Sequence, residues 1–185
     1  MKSCRTSFDE INTEYFGVRQ KECADLFRNI ELRLPVSRRS CLSLGCGTGA
    51  EFDALLLRFK TVVGVEKDSR YVEFAKRNHP AVCVMHDFAI RALEGFSVDS
   101  FDAIVALDVD STLFAQDILR HAKRILPSGG VVVFSERAKN VELYGRSFLK
   151  EGLADLRGAF AGLFSFKAVI RNTDRDGVVV IAVRI

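Results

Sequence analysis

The stretch CLSLGCGTGAEF, Cys41 to Phe52, decides the fold. It opens on a short apolar run, Cys41-Leu42-Ser43-Leu44, and turns through Gly45, Gly47 and Gly49. It then continues into Ala50-Glu51-Phe52-Asp53-Ala54-Leu55-Leu56-Leu57, which reads as a helix. A strand that turns on glycines into a helix is a place where backbone can close on a ligand. Glycine tolerates positive φ and has no Cβ to hold the ligand away, and free N–H groups at a helix start attract polar or anionic groups.

The spacing of the loop fits two cofactors. Gly45-x-Gly47-x-Gly49 suits a cradle for the amino acid end of S-adenosylmethionine, whereas Gly45-x-Gly47-x-x-Ala50 satisfies the dinucleotide fingerprint in its final-alanine form. The flanking chain decides between them.

Outward from the loop, strand and helix alternate. Helix-forming sequence runs from about Thr48 to Phe59, and a β-branched strand follows at Thr61–Val65. A second helix has Asp68 or Ser69 as N-cap and stops at Asn78-His79-Pro80. A third strand, Ala81–Met85, leads into a short helical segment over Asp87–Leu93. A fourth strand, Phe101–Leu107, is followed by a helix from about Ser111 to Ile125, the turn Pro127-Ser128-Gly129-Gly130 and a fifth strand, Val131–Ser135. Apolar strands separated by helices imply a parallel sheet covered on both faces, with right-handed crossovers.

The two ends differ from this pattern. Residues 1–16 are polar and carry no periodic signal, and a helix is expected over Val18–Leu34 on the stripe Ala24, Phe27, Ile30, Leu34, ended by Pro35. Asn140 to about Ala161 reads as helical, as one bent helix or two, with glycines at 145, 152 and 158. The strand Leu163–Ile170, the turn Asn172–Gly177 and the strand Val178–Ile185 form an antiparallel hairpin. The expected architecture is therefore five parallel strands plus a terminal hairpin.

The bulk numbers agree. A chain of 185 residues, 48% hydrophobic and 28% charged, suits one domain with a real core, and a net charge of +3 is too small to imply a nucleic acid or membrane partner. Cys4, Cys23, Cys41, Cys46 and Cys83 form no CxxC pair, which points to reduced thiols in the cytoplasm. The N-terminal sixteen residues have no run suited to a signal peptide, and no stretch approaches the length of a membrane span.

Several motifs in order resemble the class I S-adenosylmethionine-dependent methyltransferases. They are LSLGCGTG at 42–49, VVGVEKD at 62–68, HDF at 86–88, FDAIVALD at 101–108, AKRILPSGGVVVF at 122–134 and the closing hairpin. The resemblance implies a three-layer α/β sandwich with a seven-stranded, mostly parallel sheet in the order 3-2-1-4-5-7-6, strand 7 antiparallel. It implies a core over 38–185 with residues 1–37 as an N-terminal helical extension, in which Tyr15 and Phe16 belong to a lid. It implies S-adenosylmethionine as cofactor. Gly45, Cys46, Gly47 and Gly49 would then close on the methionine portion. Glu66, with Lys67 beside it, would accept from both ribose hydroxyls, and it stands 21 positions after Gly45, which suits one helix and one strand between them. Asp87 and Phe88 would meet the adenine, and Ala106, Leu107 and Asp108 would line the sulfonium end. One position departs from the family. Ser43 stands where an acid is usual, and it brings a hydroxyl but no charge.

Each residue also has a plainer reading. Glu66 reads as a solvated strand-end charge, Asp87 as a helix N-cap, and Asp110 or Ser111 as the cap of the helix that follows. His79, His86 and His121 carry no motif, and no third ligand stands near Asp108 and Asp110 to hold a metal. Arg137, Lys139, Arg146, Lys150 and Arg157 read as a solvated face, or Arg137 and Lys139 greet an anionic substrate. Methyl transfer to oxygen benefits from a general base, for which Asp108 is the candidate. Leu107-Asp108-Val109-Asp110 replaces the Asn/Asp-Pro-Pro-aromatic motif of DNA amino methylation, so a small-molecule acceptor is expected rather than nucleic acid. A cofactor-binding protein without transferase activity and a nicotinamide-dependent oxidoreductase are the competing readings.

Overall fold

The computed structural model describes residues 8–34, 37–108, 116–136, 162–172 and 177–185. Seven strands form one sheet: β1 (Ser40–Leu44), β2 (Thr61–Glu66), β3 (Cys83–His86), β4 (Ala103–Ala106), β5 (Val131–Glu136), β6 (Phe164–Asn172) and β7 (Gly177–Arg184). Their order is β3-β2-β1-β4-β5-β7-β6. The first five are parallel, and β7 pairs antiparallel with both β5 and β6. This is the order and the direction of strand 7 that the motifs implied. The hairpin turn, the Asn140–Ala161 stretch, Asp110, Ser111 and the basic series from Arg137 to Arg157 lie outside the described residues.

Strand alternation sorts the core into two halves. Cys41, Ala103, Val105, Val131 and Val133 face one side, while Leu42, Ile104, Ala106, Val132 and Phe134 face the other. The first side packs against α1 (Phe8–Asn29), α2 (Phe52–Leu56) and α3 (Ser69–Asn78); the second packs against α4 (Ala89–Gly95) and α5 (Gln116–Ile125). Burial of these rows on both faces explains why the strands read as continuous apolar runs.

Element boundaries differ from the sequence expectation in three informative places. Helix α1 begins at Phe8, ten residues before the expected Val18, and ends at Asn29, followed by a 3₁₀ turn over Glu31–Arg33. Its added turns are held by ring contacts rather than by an aliphatic stripe: Phe8 meets Tyr71, and Phe16 meets Phe74 and His79. Its buried stripe runs through Cys23 and Phe27 and continues to Ile30 just past its end, with Cys23 in place of the expected Ala24. Helix α2 is only five residues long, because the positive φ of Gly47 and Gly49 keeps residues 48–51 in turns. The short segment after β3 becomes helical at Ala89 rather than Asp87. Asp68 does cap α3, its Oδ1 accepting from the Arg70 N–H at 3.0 Å.

Among the described residues no helix is long and apolar enough to cross a membrane, and Cys23, Cys41, Cys46 and Cys83 are free thiols.

Candidate functional site

In this strand order β1 lies between β2 and β4, so successive crossovers leave it in opposite directions and a crevice opens at the carboxyl ends of β1 and β4. A cavity of about 250 Å³ sits there. Gly45, Cys46, Gly47, Thr48, Ala50 and Glu51 supply one wall, Leu107 and Asp108 the second, Tyr71 of α3 the third, and Tyr15 and Arg19 of α1 lean over it.

The glycines of the loop do different work. The N–H groups of Gly45 and Cys46 both donate to the Val65 carbonyl, at 2.8 and 3.1 Å, which ties the loop to β2. Gly47 has φ +51°, and a Cβ there would meet nothing within 4 Å, so this residue presents bare backbone to the cavity. Gly49 is different: at φ +75° its Cβ would fall 2.6 Å from the Phe52 ring. It is a packing residue and does not line the cavity. Gly64 of β2 lies against the same ring, a Cβ there falling 2.6 Å from Phe52 and 2.9 Å from the Cys46 sulfur. The loop N–H groups are thus largely spent inside the protein, and a five-residue α2 offers no helix N-terminus of consequence.

Glu66 anchors the loop from β2. Its Oε2 accepts from the Gly47 N–H at 3.0 Å, and its Oε1 accepts from the Lys67 and Asp68 N–H groups at 2.8 and 2.9 Å. A carboxylate has about four acceptor directions, so one remains, on Oε2. The expected pair of bonds to both ribose hydroxyls is more than this arrangement leaves free.

Two groups that the sequence reading passed over, the buried Glu51 and the half-buried Arg19, dominate the electrostatics. Glu51 accepts from the Ser43 hydroxyl at 2.6 Å. A carboxyl group therefore reaches the Ser43 position from the far side of the loop. Burial pushes its pKa up to about 7, with the Ser43 hydroxyl and its own N–H pulling part of the way back. Arg19 pairs with Asp108 at 2.5 Å and with Glu22 at 2.9 Å. Burial opposes its charge, yet Asp108 and the other anionic neighbours more than offset this and hold its pKa above the usual value. Asp108 adopts φ +56°, and its N–H donates to the Ser135 hydroxyl at 2.9 Å. The candidate base is therefore held on one side by a guanidinium and on the other by serine.

A periodic signal existed for both groups. Arg19 lies between Tyr15 and Cys23 on an i, i+4 series that leads to the buried Phe27, and Glu51 stands four residues before the buried Leu55.

The structure brings Gly45, Cys46, Gly47, Leu107 and Asp108 to the cavity, with Glu66 bonded to its wall. Ala106 is fully buried behind it. Lys67, Asp87 and Phe88 lie further along the strand ends. Lys67 is exposed, and its carbonyl is 2.9 Å from His86 Nε2. Asp87 accepts from the Phe88 N–H at 2.8 Å and lies 3.3 Å from Arg91 Nε, and the Phe88 ring stands largely in solvent. Asp87 does not cap α4, whose N-cap position is Phe88. Phe16, expected in a lid, packs on Phe74 and His79 instead of facing the cavity. The Cys46 thiol is pushed well up by burial, with Glu51 and Glu66 adding to the effect, and supplies no nucleophile. Among the described residues no group of three or more His, Cys, Asp or Glu side chains is placed to hold a metal ion.

Comparison with known proteins agrees with this geometry. The profile of a family described as "Methyltransferase domain" matches residues 42–134. Among solved structures, the PH0226 protein from Pyrococcus horikoshii OT3 superposes with a TM-score of 0.70 at 16% identity, over 89% of this chain and 91% of that one. A putative S-adenosylmethionine-dependent methyltransferase from Listeria monocytogenes gives 0.66 at 18%, over 86% and 97%. The geranyl diphosphate C-methyltransferase from Streptomyces coelicolor A3(2) gives 0.66 at 14%, over 89% and 77%. No curated protein sequence matches the chain significantly.

Proposed function

The chain belongs to the methyltransferase-domain family, the Rossmann-like enzymes that use S-adenosylmethionine, and on that premise we propose that it methylates a small-molecule acceptor at the cavity between β1 and β4. The observation that carries the proposal is the way α1 reaches the crevice, so that Tyr15 and Arg19 line the same half-open cavity as the glycine loop and the end of β4. On this reading residues 1–37 act as the lid and 38–185 as the catalytic core.

The residues present fit the cofactor. Gly47 offers a wall without a side chain, Glu66 retains one acceptor direction for a ribose hydroxyl, and Arg19 brings a half-buried cation toward a carboxylate. Gly45, Cys46, Ala106 and Leu107 shape the amino acid and sulfonium end, and Lys67, Asp87 and Phe88 border the adenine end. When bound, S-adenosylmethionine would supply a sulfonium methyl carbon open to in-line attack by an acceptor lone pair, with neutral S-adenosylhomocysteine as the leaving group. The contribution of the chain is orientation and exclusion of water. Asp108 serves an oxygen acceptor as base once Arg19 turns from it toward the cofactor. Arg137 and Lys139 follow β5 and favour an anionic acceptor. The free thiols support a reducing, cytoplasmic setting.

Incubation with methyl-labelled S-adenosylmethionine and a deproteinised metabolite extract tests the acceptor class. Label in small molecules is expected. Label carried only into added protein or RNA would overturn the small-acceptor reading.

A further inference from the structure

The lining of the cavity is unbalanced in charge. Among the described residues its one cation is Arg19, and its carboxyl groups are Glu51 and Asp108. Arg19 is already committed, at 2.5 Å to Asp108 and at 2.9 Å to Glu22. Glu51 forms no ion pair among the described residues; its partner is the neutral Ser43 hydroxyl. Among the described residues its surroundings offer no positive charge beyond Arg19. Among the described residues, the titratable and polar groups around it are Arg19 and Cys23 from α1, Cys41 and Ser43 from β1, Cys46 from the loop, and Asp108 after β4. Each of the three thiols is itself pushed upward, by burial first and by Glu51 next, so none of them offsets it.

A buried carboxyl at a cavity wall with no counter-ion is held partly protonated by desolvation and gains most when a cation arrives. Resting on the methyltransferase reading above, we infer that Glu51, held in place by Ser43, is the counter-charge for the ammonium group of the cofactor's amino acid arm. The carboxylate of that arm goes to Arg19, so the two ends of the zwitterion are read by two elements, the glycine loop and α1. Glu51 is then a binding residue whose ionisation is coupled to occupancy. Because the free protein holds it near pKa 7, binding near neutral pH expels a proton.

Calorimetric titration of the full chain with S-adenosylhomocysteine, which lacks the sulfonium charge, tests this. Its deamino analogue, which lacks the ammonium, is the control. Wild type should bind S-adenosylhomocysteine about tenfold more tightly at about pH 8 than at about pH 6, as expected for a site that must ionise near pH 7. Glu51→Gln keeps an acceptor for Ser43; it should bind about tenfold more weakly than wild type at the higher pH and lose that pH dependence, while the deamino analogue binds both proteins alike. Equal loss for both ligands would show that Glu51 only supports the loop, and unchanged binding of S-adenosylhomocysteine to Glu51→Gln would equally overturn the inference. The two readings fail differently. A wild type that binds neither ligand overturns the assignment of the cavity and this inference with it, whereas a wild type that binds both, beside an unchanged variant, overturns this inference alone. Ser43→Ala is the second variant. It retains the carboxyl and should weaken S-adenosylhomocysteine less than Glu51→Gln does.

Discussion

Replacing Glu51 by Gln should stabilise the ligand-free protein, and by an amount that depends on pH. Folding raises the pKa of this carboxyl from the ordinary 4.5 to about 7, chiefly by burial. An acid whose folded pKa is raised contributes stability that is fully present below the unfolded value and is lost as pH rises through the folded one. The window is therefore pH 4.5 to about 7. At roughly 1.4 kcal/mol per pH unit, the loss across this window is about 3 kcal/mol. Glutamine has no such titration and can still accept from the Ser43 hydroxyl. The stability difference between Glu51→Gln and wild type should thus grow by about 3 kcal/mol between about pH 4.5 and about pH 8, all other titrating groups cancelling. Urea denaturation of both proteins across that range, followed by circular dichroism without ligand, measures the difference directly. A difference that stays flat, or that grows toward acid, would refute the claim that Glu51 is a desolvated carboxyl without a counter-ion. The expected outcome is a residue that weakens the empty protein in order to serve the occupied one.

Other expectations follow from packing and from the Arg19–Asp108 pair. Gly64→Ala places a methyl 2.6 Å from the Phe52 ring and 2.9 Å from the Cys46 sulfur, so it should destabilise by about 1–3 kcal/mol in urea and loosen the loop. Arg19→Ala removes the partner of Asp108 and the cationic end of the arm site; affinity for S-adenosylhomocysteine should fall about tenfold or more, with unchanged affinity counting against the role of α1. His79 is wedged against Phe16 and Phe52, and burial, partly opposed by Asp53, lowers its pKa. The stability it lends is present above its ordinary 6.5 and is lost as pH falls through the lower folded value. His79→Gln should flatten that acid limb in a comparison of melting temperature against pH, and an unaltered limb would show that His79 does not cause it.

The sheet was legible because its signal is repeated. Each strand from β1 to β5 reads as an apolar run, and both faces are indeed covered, so periodicity and burial pointed the same way. The loop was legible in its spacing but not in its division of labour. Nothing in GCGTG distinguishes Gly47, which faces open space, from Gly49, which faces the Phe52 ring; that depends on a side chain three residues further on. Helix α1 was half legible. Its aliphatic end carries the stripe, while its first ten residues are held by Phe8 and Phe16 against rings from α3, contacts that no local pattern announces. Glu51 was missed because a continuous helix from Thr48 would make it one charge among several. The turns over 48–51 carry it inward to Ser43, the position where the family's acid is absent. Arg19 was missed because its partner Asp108 lies far along the chain and is met only once the sheet is assembled.

The central claim is that the cavity between β1 and β4 is an adenosyl-cofactor site organised by the glycine loop and Glu66. Parallel calorimetric titration with S-adenosylmethionine, S-adenosylhomocysteine and NAD tests it most directly. The account predicts binding of both adenosyl ligands in the micromolar range, no heat with NAD, and loss of the adenosyl signal in Glu66→Ala. No adenosyl binding, a preference for NAD, or full binding by Glu66→Ala would contradict it.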